Sequence, residues 1–428
     1  MSLFSKNSVL ADLYSRHEEQ LADSEGLSPE RIESALEAGS MVLLGNPAHP
    51  GLVPLLVGQP SRVKVNANIG TSPMRNSGEA ELRKLAAALD AGADTVMDLS
   101  IAGDLNGIRR TMLERCPRPI GTVPLYAVAQ RYIDAGRDPA GIDPEEIFAE
   151  IEHQARQGVD FMTVHCGITA RGAAWAAEEQ GGRVMGIVSR GGSILARWMR
   201  ENNRENPLLT GYERILSIAR DHNVTLSLGD GLRPGAGADA GDAAQWEEVI
   251  MLGRLARQGL EAGVQCMVEG PGHVPMNEVE AQIRGIKTAC NNAPLYVLGP
   301  LVSDSCPGYD HIAGAIGGAL AVRAGVDFLC YLTPAEHLTL PDADDVRAGV
   351  MASRVAAQAG EVSLARPKAL ARETAMSRAR RDLDWKRMQD AALDPHALCA
   401  RRAEHADEEV CAMCGEFCAV KMLRKKAE

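Results

Sequence analysis

Three cysteines near the C-terminus form the densest group of metal-binding side chains in the sequence. Cys411, Cys414 and Cys418 follow the spacing Cys-x2-Cys-x3-Cys within eight residues. In a cytosolic chain of this size, clustered thiols usually serve metal or redox chemistry rather than a disulfide framework. A structural zinc needs four ligands, and Cys399 or His405 would complete the set. A four-iron cluster also takes four ligands, so three thiolates would leave one iron open. The spacing indicates a metal and leaves both interpretations open.

Two glycine-flanked polar motifs predict a binding site for an anionic ligand. Residues 189–193 read Ser-Arg-Gly-Gly-Ser after an apolar run, and backbone N–H groups that open a helix can bind an anion. Arg190 would add a bidentate donor. In the motif at 230–235, Asp230 can accept from a sugar hydroxyl and Arg233 can hold a phosphate. The structural alternative is that these glycines only make tight turns. Two such motifs at one site favour anion binding over that alternative.

Histidines that follow apolar runs are a second set of candidate metal ligands. His165 ends one run, His273 lies in Gly-Pro-Gly-His, and His337 lies in Pro-Ala-Glu-His. His311 lies in Pro-Gly-Tyr-Asp-His. A single histidine is more often a structural residue, but two that converge could bind a divalent metal and leave coordination positions open.

The segment from about residue 63 to 333 repeats one pattern of secondary structure. A short apolar run is followed by a polar or glycine-rich break and then by an amphipathic helical stretch, such as Leu82, Leu85, Ala86 and Leu89 before Gly92. Apolar strands that alternate with helices predict a parallel sheet covered on both faces. The candidate strands are residues 63–68, 95–99, 122–126, 161–165, 184–188, 225–228, 265–268, 295–298 and 327–332.

The ends of these runs favour an α/β fold of the (β/α)8 barrel type over a doubly wound sheet. Most runs end in side chains that can do chemistry: Asn66, Asn68, Asp98, Tyr126, His165, Ser189, Arg190, Asp230 and Glu269. In a barrel all C-terminal strand ends open onto one mouth, whereas a doubly wound sheet concentrates them at one or two crevices. A barrel needs eight strands, so one of the nine candidates is expected to be misassigned.

Composition and charge limit the class of protein. We predict an N-terminal layer at 1–62, the barrel at 63–340, a helical segment at 341–398 and a cysteine-cluster tail at 399–428. The formal net charge of −12 over 428 residues argues against nucleic acid or an anionic membrane as the main partner. No apolar run approaches the roughly 18 residues of a membrane span, and the N-terminus has no signal core. A cytoplasmic location is therefore expected.

Eight motifs, in order along the chain, resemble those of the phosphomethylpyrimidine synthase family, the radical S-adenosylmethionine (SAM) lyases of thiamine biosynthesis. The resemblance extends from about residue 42 to 420. The motifs are NANIGTS at 66–72, VMDLS at 96–100, GTVPLY at 121–126, GIVSRGGS at 186–193, SLGDGLRPG at 227–235, VEGPGHVP at 268–275, PGYDHI at 307–312 and the cysteine tail.

This resemblance implies an activity and its cofactors. Family members convert 5-aminoimidazole ribotide and SAM to 4-amino-5-hydroxymethyl-2-methylpyrimidine phosphate, with release of formate and carbon monoxide. It implies a 4Fe-4S cluster on Cys411, Cys414 and Cys418, and zinc or iron on His273 and His337. It also implies an electron donor of the flavodoxin or ferredoxin type and a homodimer in which the tail reaches the partner's active site.

The resemblance further implies which residues hold the ribotide. These are Asn68, Met97, Tyr126, His165, Ser189, Arg190, Gly191, Asp230, Gly231, Leu232, Arg233, Glu269 and Tyr296. Most of them belong to the polar strand ends described above. Met97 and Tyr296 come from the resemblance alone, because the residue pattern assigns both to the core.

Departures from the family pattern leave a second product open. Residues 99–104 and 303–306 differ from the usual motif. A close relative, 5-hydroxybenzimidazole synthase of anaerobic cobamide biosynthesis, uses the same ribotide and SAM and would keep the same motifs. Cys306 and residues 101–103 are where a product switch is expected. From a different class, a zinc-dependent barrel hydrolase or aldolase with a structural zinc tail is a further alternative.

Overall fold

The computed structural model describes residues 2–177 and 182–422. The chain divides into two compact units, Met1–Gly360 and Glu361–Glu428. Among the described residues, no helix combines the length and apolar composition that crossing a membrane requires. The predicted boundaries at residues 62, 340 and 398 stay predictions.

A closed barrel of parallel strands forms the centre of the first unit and confirms the predicted (β/α)8 fold. The first unit has a hairpin of two strands, β1 (Met41–Leu44) and β2 (Leu55–Gly58). The barrel strands are β3 (Lys64–Ile69), β4 (Thr95–Asp98), β5 (Ile120–Thr122), β6 (Phe161–Val164), β7 (Thr225–Leu228), β8 (Cys266–Gly270), β9 (Leu295–Leu298) and β10 (Phe328–Cys330). Within the described residues the barrel runs from β3 to β10 in chain order, and β10 closes it by pairing with β3. All eight C-terminal strand ends therefore point to one mouth.

Helices alternate with the barrel strands along the chain, and further helices precede the first barrel strand and follow the last. They are α1 (Leu3–Lys6), α2 (Ser8–Glu25), α3 (Pro29–Glu37), α4 (Gly78–Asp90), α5 (Leu105–Arg115), α6 (Pro124–Asp134), α7 (Pro144–Gln157), α8 (Ala170–Ala177), α9 (Arg190–Asn202), α10 (Pro207–Thr210), α11 (Tyr212–His222), α12 (Ala243–Glu261), α13 (Val279–Ala289), α14 (Asp310–Ala324), α15 (Ala343–Ser363), α16 (Pro367–Asp382), α17 (Trp385–Ala391), α18 (Pro395–Arg402) and α19 (Ala419–Met422). The predicted helix before Gly92 is α4, capped by Ser77.

Side-chain alternation along the strands separates an inner and an outer core. Val65, Ala67 and Ile69 of β3 pack outward against the surrounding helices, in one cluster with Leu85 of α4. Inside the barrel, Tyr296 stacks on Phe328 with ring centroids 4.3 Å apart. The residues of β3 between the outward ones, such as Asn66, therefore point into the barrel.

The candidate strand at 184–188 is wrong. This segment forms no strand: the backbone N–H groups of Val184 and Met185 donate to the Asp239 carboxylate, at 2.7 and 3.0 Å, rather than to a neighbouring strand. Val184 is 75% exposed. An apolar run predicts a barrel strand only if it is buried, and the periodicity alone could not show that this one lies at the surface.

The candidate strand at 122–126 is displaced. The strand is β5, which ends at Thr122, and α6 begins at Pro124. Proline suits the first turn of a helix because its missing N–H has no partner there. Tyr126, expected at a strand end, therefore lies in the first turn of α6.

The N-terminal segment closes the barrel at the end opposite the mouth. The β1–β2 hairpin is antiparallel, and Val42 and Leu44 pack with residues of the barrel interior. The Gln265 side chain, just before β8, accepts from Leu43 N at 2.7 Å. Asp160, just before β6, accepts from His49 at 2.7 Å, with both side chains fully buried.

The second unit contains short helices and the cysteine tail. Trp385 donates its indole N–H to the Glu409 carbonyl at 2.9 Å. The guanidinium of Arg402 lies 3.8 Å above the Trp385 ring. These contacts tie α17 to the segment that precedes the cysteines.

Candidate active site

A cavity opens at the C-terminal ends of the barrel strands. Its volume is about 510 Å³ with its open mouth included. The residues named in the sequence analysis that line it are Asn68, Met97, Tyr126, His165, Asp230, Arg233, Glu269 and Tyr296. The structure thus brings together side chains from six of the barrel strands or the loops that follow them, and Tyr126 from the first turn of α6.

Two carboxylates and one guanidinium form the charged part of the cavity. Asp230 pairs with Arg233 at 3.2 Å. Burial and the nearby Glu269 raise the pKa of Asp230 well above its usual value, against the opposing effect of Arg233. Among the described residues, nothing bonds the second carboxylate oxygen of Asp230. A buried polar atom without a partner is costly, so a bound ligand is the expected partner.

Glu269 is held in place by two hydroxyl groups. Thr163 Oγ1 and Ser227 Oγ both donate to Glu269 Oε1 at 2.7 Å. Burial raises the pKa of this carboxyl above its usual value, although the hydroxyls oppose the shift.

His165 ends the apolar run at β6 and is buried beneath the cavity. Burial, with a smaller contribution from the Arg233 charge, lowers the pKa of His165 to about 3, so the imidazole is neutral near pH 7. Ser189 Oγ lies 3.3 Å from Nε2, and within the described part of the chain Nδ1 has no partner. The ring packs tightly on α9, because a Cβ at Gly191 would lie 2.3 Å from His165 Cε1.

The start of α9 places a cation against Tyr126, which lines the cavity, although Ser189, Arg190 and Gly191 do not line it themselves. Ser189 caps the helix by accepting from Gly192 N at 3.1 Å. The Arg190 guanidinium lies 4.8 Å from the centre of the Tyr126 ring. Among the described residues, 2–177 and 182–422, no carboxylate forms an ion pair with Arg190. A helix N-terminus with an unpaired arginine favours an anionic group.

Gly231 and Leu232 shape the loop after β7 and do not line the cavity. Leu232 N donates to Glu248 Oε2 at 2.7 Å. A Cβ at Gly231 would lie 2.0 Å from Ile168 Cδ1. The predicted contacts of these two residues with the ribotide stay predictions, since the Leu232 amide already has a partner.

His273 and His337 lie side by side, with ring centroids 5.4 Å apart. His273 Nδ1 lies 2.7 Å from Asp304 Oδ1, and His337 Nδ1 lies 3.0 Å from Asp310 Oδ1. A carboxylate at Nδ1 fixes the tautomer that leaves Nε2 as an acceptor, which is the usual arrangement around metal-binding histidines. The pair therefore fits a divalent metal with open positions.

The three tail cysteines lie in the second unit. All three are free thiols; Cys411 and Cys414 are exposed, and Cys418 is buried. Within the described ranges, no three His, Cys, Asp or Glu side chains are gathered as a preformed metal site. The donor set itself, three unpaired thiols within eight residues, fits an iron–sulfur cluster with one open iron.

Sequence reasoning missed several residues that shape the site. Cys330 and Thr163 line the cavity, and Asp304 and Asp310 hold the histidine pair. Cys330 could have been found, because it is the last residue of β10 and so lies at the barrel mouth. The two aspartates carried no such signal, since only the fold brings their loops to the histidines.

Comparison with known proteins assigns the chain to a family. The model described as "Radical SAM ThiC family" matches residues 8–425. Phosphomethylpyrimidine synthase of Syntrophus aciditrophicus is 48% identical over 408 residues, covering 95% of each chain. The enzyme of the same name from Moorella thermoacetica is 50% identical over 407 residues, covering 95% of this chain and 94% of the relative. The chain therefore belongs to the radical SAM ThiC family of enzymes.

Proposed function

We propose that this enzyme is a radical SAM lyase that converts 5-aminoimidazole ribotide to 4-amino-5-hydroxymethyl-2-methylpyrimidine phosphate. The observation that carries the proposal is the barrel-mouth cavity, in and beside which both acidic and basic side chains lack partners. Asp230 Oδ2 and His165 Nδ1 lack partners among the described residues, and Arg190 lacks an ion-pair partner there. A sugar phosphate supplies hydroxyl donors and an anion for such groups. The name of the related enzymes points to the same pathway.

The ribotide would use the two sides of the cavity differently. The cap of α9 at Ser189, Arg190 and Gly191, together with Arg233, suits the phosphate. The carboxylates of Asp230 and Glu269 suit ribose hydroxyls and the amino group of the base. Tyr126, stacked by Arg190, would cover the ligand. Gly231 and Leu232 would hold the loop that carries Asp230 and Arg233.

The cysteine tail would hold the cofactor that supplies the radical. Cys411, Cys414 and Cys418 would bind a 4Fe-4S cluster, whose chemistry when bound is one-electron reduction of SAM at the open iron. The barrel's own task is to hold the ribotide in one orientation and to keep water away from it.

His273 and His337 would hold zinc or iron beside the ribotide. Asp304 and Asp310 support this by fixing both rings through Nδ1. From the family resemblance we also propose a homodimer and an electron donor of the flavodoxin or ferredoxin type. Sedimentation of the full chain tests the first, and reduction by each donor class tests the second.

The decisive experiment is an anaerobic incubation of the reconstituted protein with 5-aminoimidazole ribotide, SAM and a reductant. Mass spectrometry should find 5′-deoxyadenosine, formate and the pyrimidine phosphate. A hydroxybenzimidazole product would assign the chain to the benzimidazole branch instead. A protein that stays colourless after reconstitution and forms no deoxyadenosine would rule out both and leave the zinc hydrolase or aldolase.

A further inference from the structure

Asn66 is a buried side chain in the barrel that does not line the ligand cavity. It lies on β3 and is 0% exposed. Its side chain nevertheless contacts two residues that do line the cavity, Asn68 and Tyr296. A third, Met97, is reached through Tyr296. Asn66 is thus the common partner beneath one wall of the site.

The hydrogen bonds of Asn66 have a defined direction. Thr95 Oγ1 donates to Asn66 Oδ1 at 2.7 Å, so the amide oxygen faces Thr95. The amide nitrogen therefore points the other way and donates its two hydrogens to Asn68 Oδ1 and Tyr296 Oη, each at 2.7 Å. All of these atoms lie inside the barrel, where a buried donor or acceptor without a partner is unfavourable.

This direction determines what the cavity wall offers to a ligand. Because Asn68 Oδ1 is occupied by Asn66, the Asn68 amide nitrogen faces Cys330 Sγ, at 3.0 Å, and the cavity. Because Tyr296 Oη accepts from Asn66, its own hydrogen is left for a sulfur atom, that of Cys330 or Met97 Sδ at 3.6 Å, or for a ligand that replaces these weak contacts. Both side chains are therefore donors toward the cavity.

We infer that Asn66 is a positioning residue that sets Asn68 and Tyr296 as hydrogen-bond donors to an acceptor atom of the bound ribotide. The inference rests on the proposed function. The inference predicts a preference for a ligand that presents acceptors, such as an unprotonated ring nitrogen, to Asn68 and Tyr296. These two residues lie on β3 and β9, on either side of β10. Glu269, on β8 beside Tyr296, and Asp230, after β7, instead offer acceptors to donor groups of the ligand.

The test measures the dissociation constant of 5-aminoimidazole ribotide by calorimetry on the full chain, without SAM or reductant. Asn66→Leu removes both donors at similar volume, and we expect about tenfold weaker binding or more, because Asn68 and Tyr296 lose the hydrogen bonds that orient them. Asn66→Asp replaces the donors by acceptors, should turn Asn68 around, and should weaken binding at least as much. Thr95→Val removes only the group that orients Asn66, and should weaken binding less.

Asn46→Leu is the matched control. Asn46 is 2% exposed, and its amide also donates twice, to Ala155 O at 2.7 Å and Val159 O at 3.0 Å. It lies at the closed end of the barrel beside Asp160. The Asn46→Leu protein should lose stability as the Asn66→Leu protein does, but it should bind the ribotide within twofold of the wild type.

A second readout separates positioning from a general structural effect. If Asn66 acts through its two partners, Asn66→Leu should change binding less than twofold in an Asn68→Ala/Tyr296→Phe background. An equal loss in both backgrounds, or wild-type affinity in folded Asn66→Leu and Asn66→Asp, would overturn the inference. If Asn66→Leu does not fold, Asn66→Asp and Thr95→Val carry the same test. Failure of the wild type to bind the ribotide would instead count against the proposed function.

Discussion

The carboxylates behind the histidine pair are the residues whose roles can be tested most directly. Asp310 is 4% exposed and holds His337 through Nδ1. Asp310→Asn keeps an acceptor but removes the charge that makes the imidazole a stronger ligand. We expect zinc or iron to bind about 10–100-fold more weakly, as measured by competition with a chelator.

Asp342→Asn is the control for that change. Asp342 contacts backbone amides of the first turn of α15, which asparagine can also cap. Its metal affinity should match the wild type. Unchanged metal binding in Asp310→Asn would show that the histidine pair does not need this carboxylate.

His165 should make the folded protein sensitive to acid. Its pKa of about 3 in the folded state lies below the ordinary value of 6.5. Between these values the unfolded chain binds a proton that the folded chain does not, so stability is complete above pH 6.5 and falls as the pH drops. The loss is at most ~1.4 kcal/mol per pH unit.

Denaturant unfolding between pH 7 and pH 5 measures this effect. His165→Gln should unfold with a smaller pH slope than the wild type, because the titrating group is gone. His153→Gln, which replaces an exposed histidine, should keep the wild-type slope. Equal slopes in all three proteins would contradict the neutral, buried state of His165.

At the scale of elements, the approach of α9 to β6 depends on one glycine. Gly191→Ala would place a methyl group 2.3 Å from His165 Cε1. Since both groups are buried, the helix or the ring must move, at a cost of ~1–3 kcal/mol. We expect ribotide affinity to fall about tenfold or more, because the same movement displaces Ser189 and Arg190.

Gly141→Ala is the control for this substitution. No atom lies within 4 Å of a Cβ at Gly141. Its stability should stay within ~0.5 kcal/mol of the wild type, with ribotide affinity unchanged. Thermal unfolding and calorimetry give both values, and normal ribotide binding by Gly191→Ala would contradict the tight packing of α9 on His165.

At the scale of the whole molecule, the cysteines proposed to bind the cluster and the cavity residues belong to different compact units. Cys414 is exposed and unpaired. Cys414→Ala should therefore abolish iron binding and deoxyadenosine formation while changing the free energy of unfolding by no more than ~0.5 kcal/mol. Iron analysis and urea unfolding of the same preparation measure the two effects.

Cys399→Ala completes this comparison. Cys399 is an exposed thiol outside the Cys-x2-Cys-x3-Cys motif, and its loss should leave iron content unchanged. Loss of metal in Cys399→Ala would mean that a fourth protein ligand closes the site. A larger effect of Cys414→Ala on stability than on turnover would favour the structural zinc.

Much of the fold could be predicted because barrel strands and their helices have local signals. Apolar runs, helix caps and glycine stops lie within a few residues of each other, so the sequence shows them directly. The polar residues at strand ends, such as Asp230 and Glu269, could also be assigned to one mouth. The segment at 184–188 was misassigned because local hydrophobicity does not report whether a run is buried.

The sequence by itself determined the barrel and most of the residues around the cavity, and it predicts a metal on the cysteine motif, because type and spacing along the chain carry that information. Only the tertiary structure decided which groups are partners: Asp304 with His273, Asp310 with His337, and Asn66 with Tyr296. The last two residues are 230 positions apart. Hydrogen bonds act over about 3 Å, and closure of the barrel is what brings such distant residues within that distance.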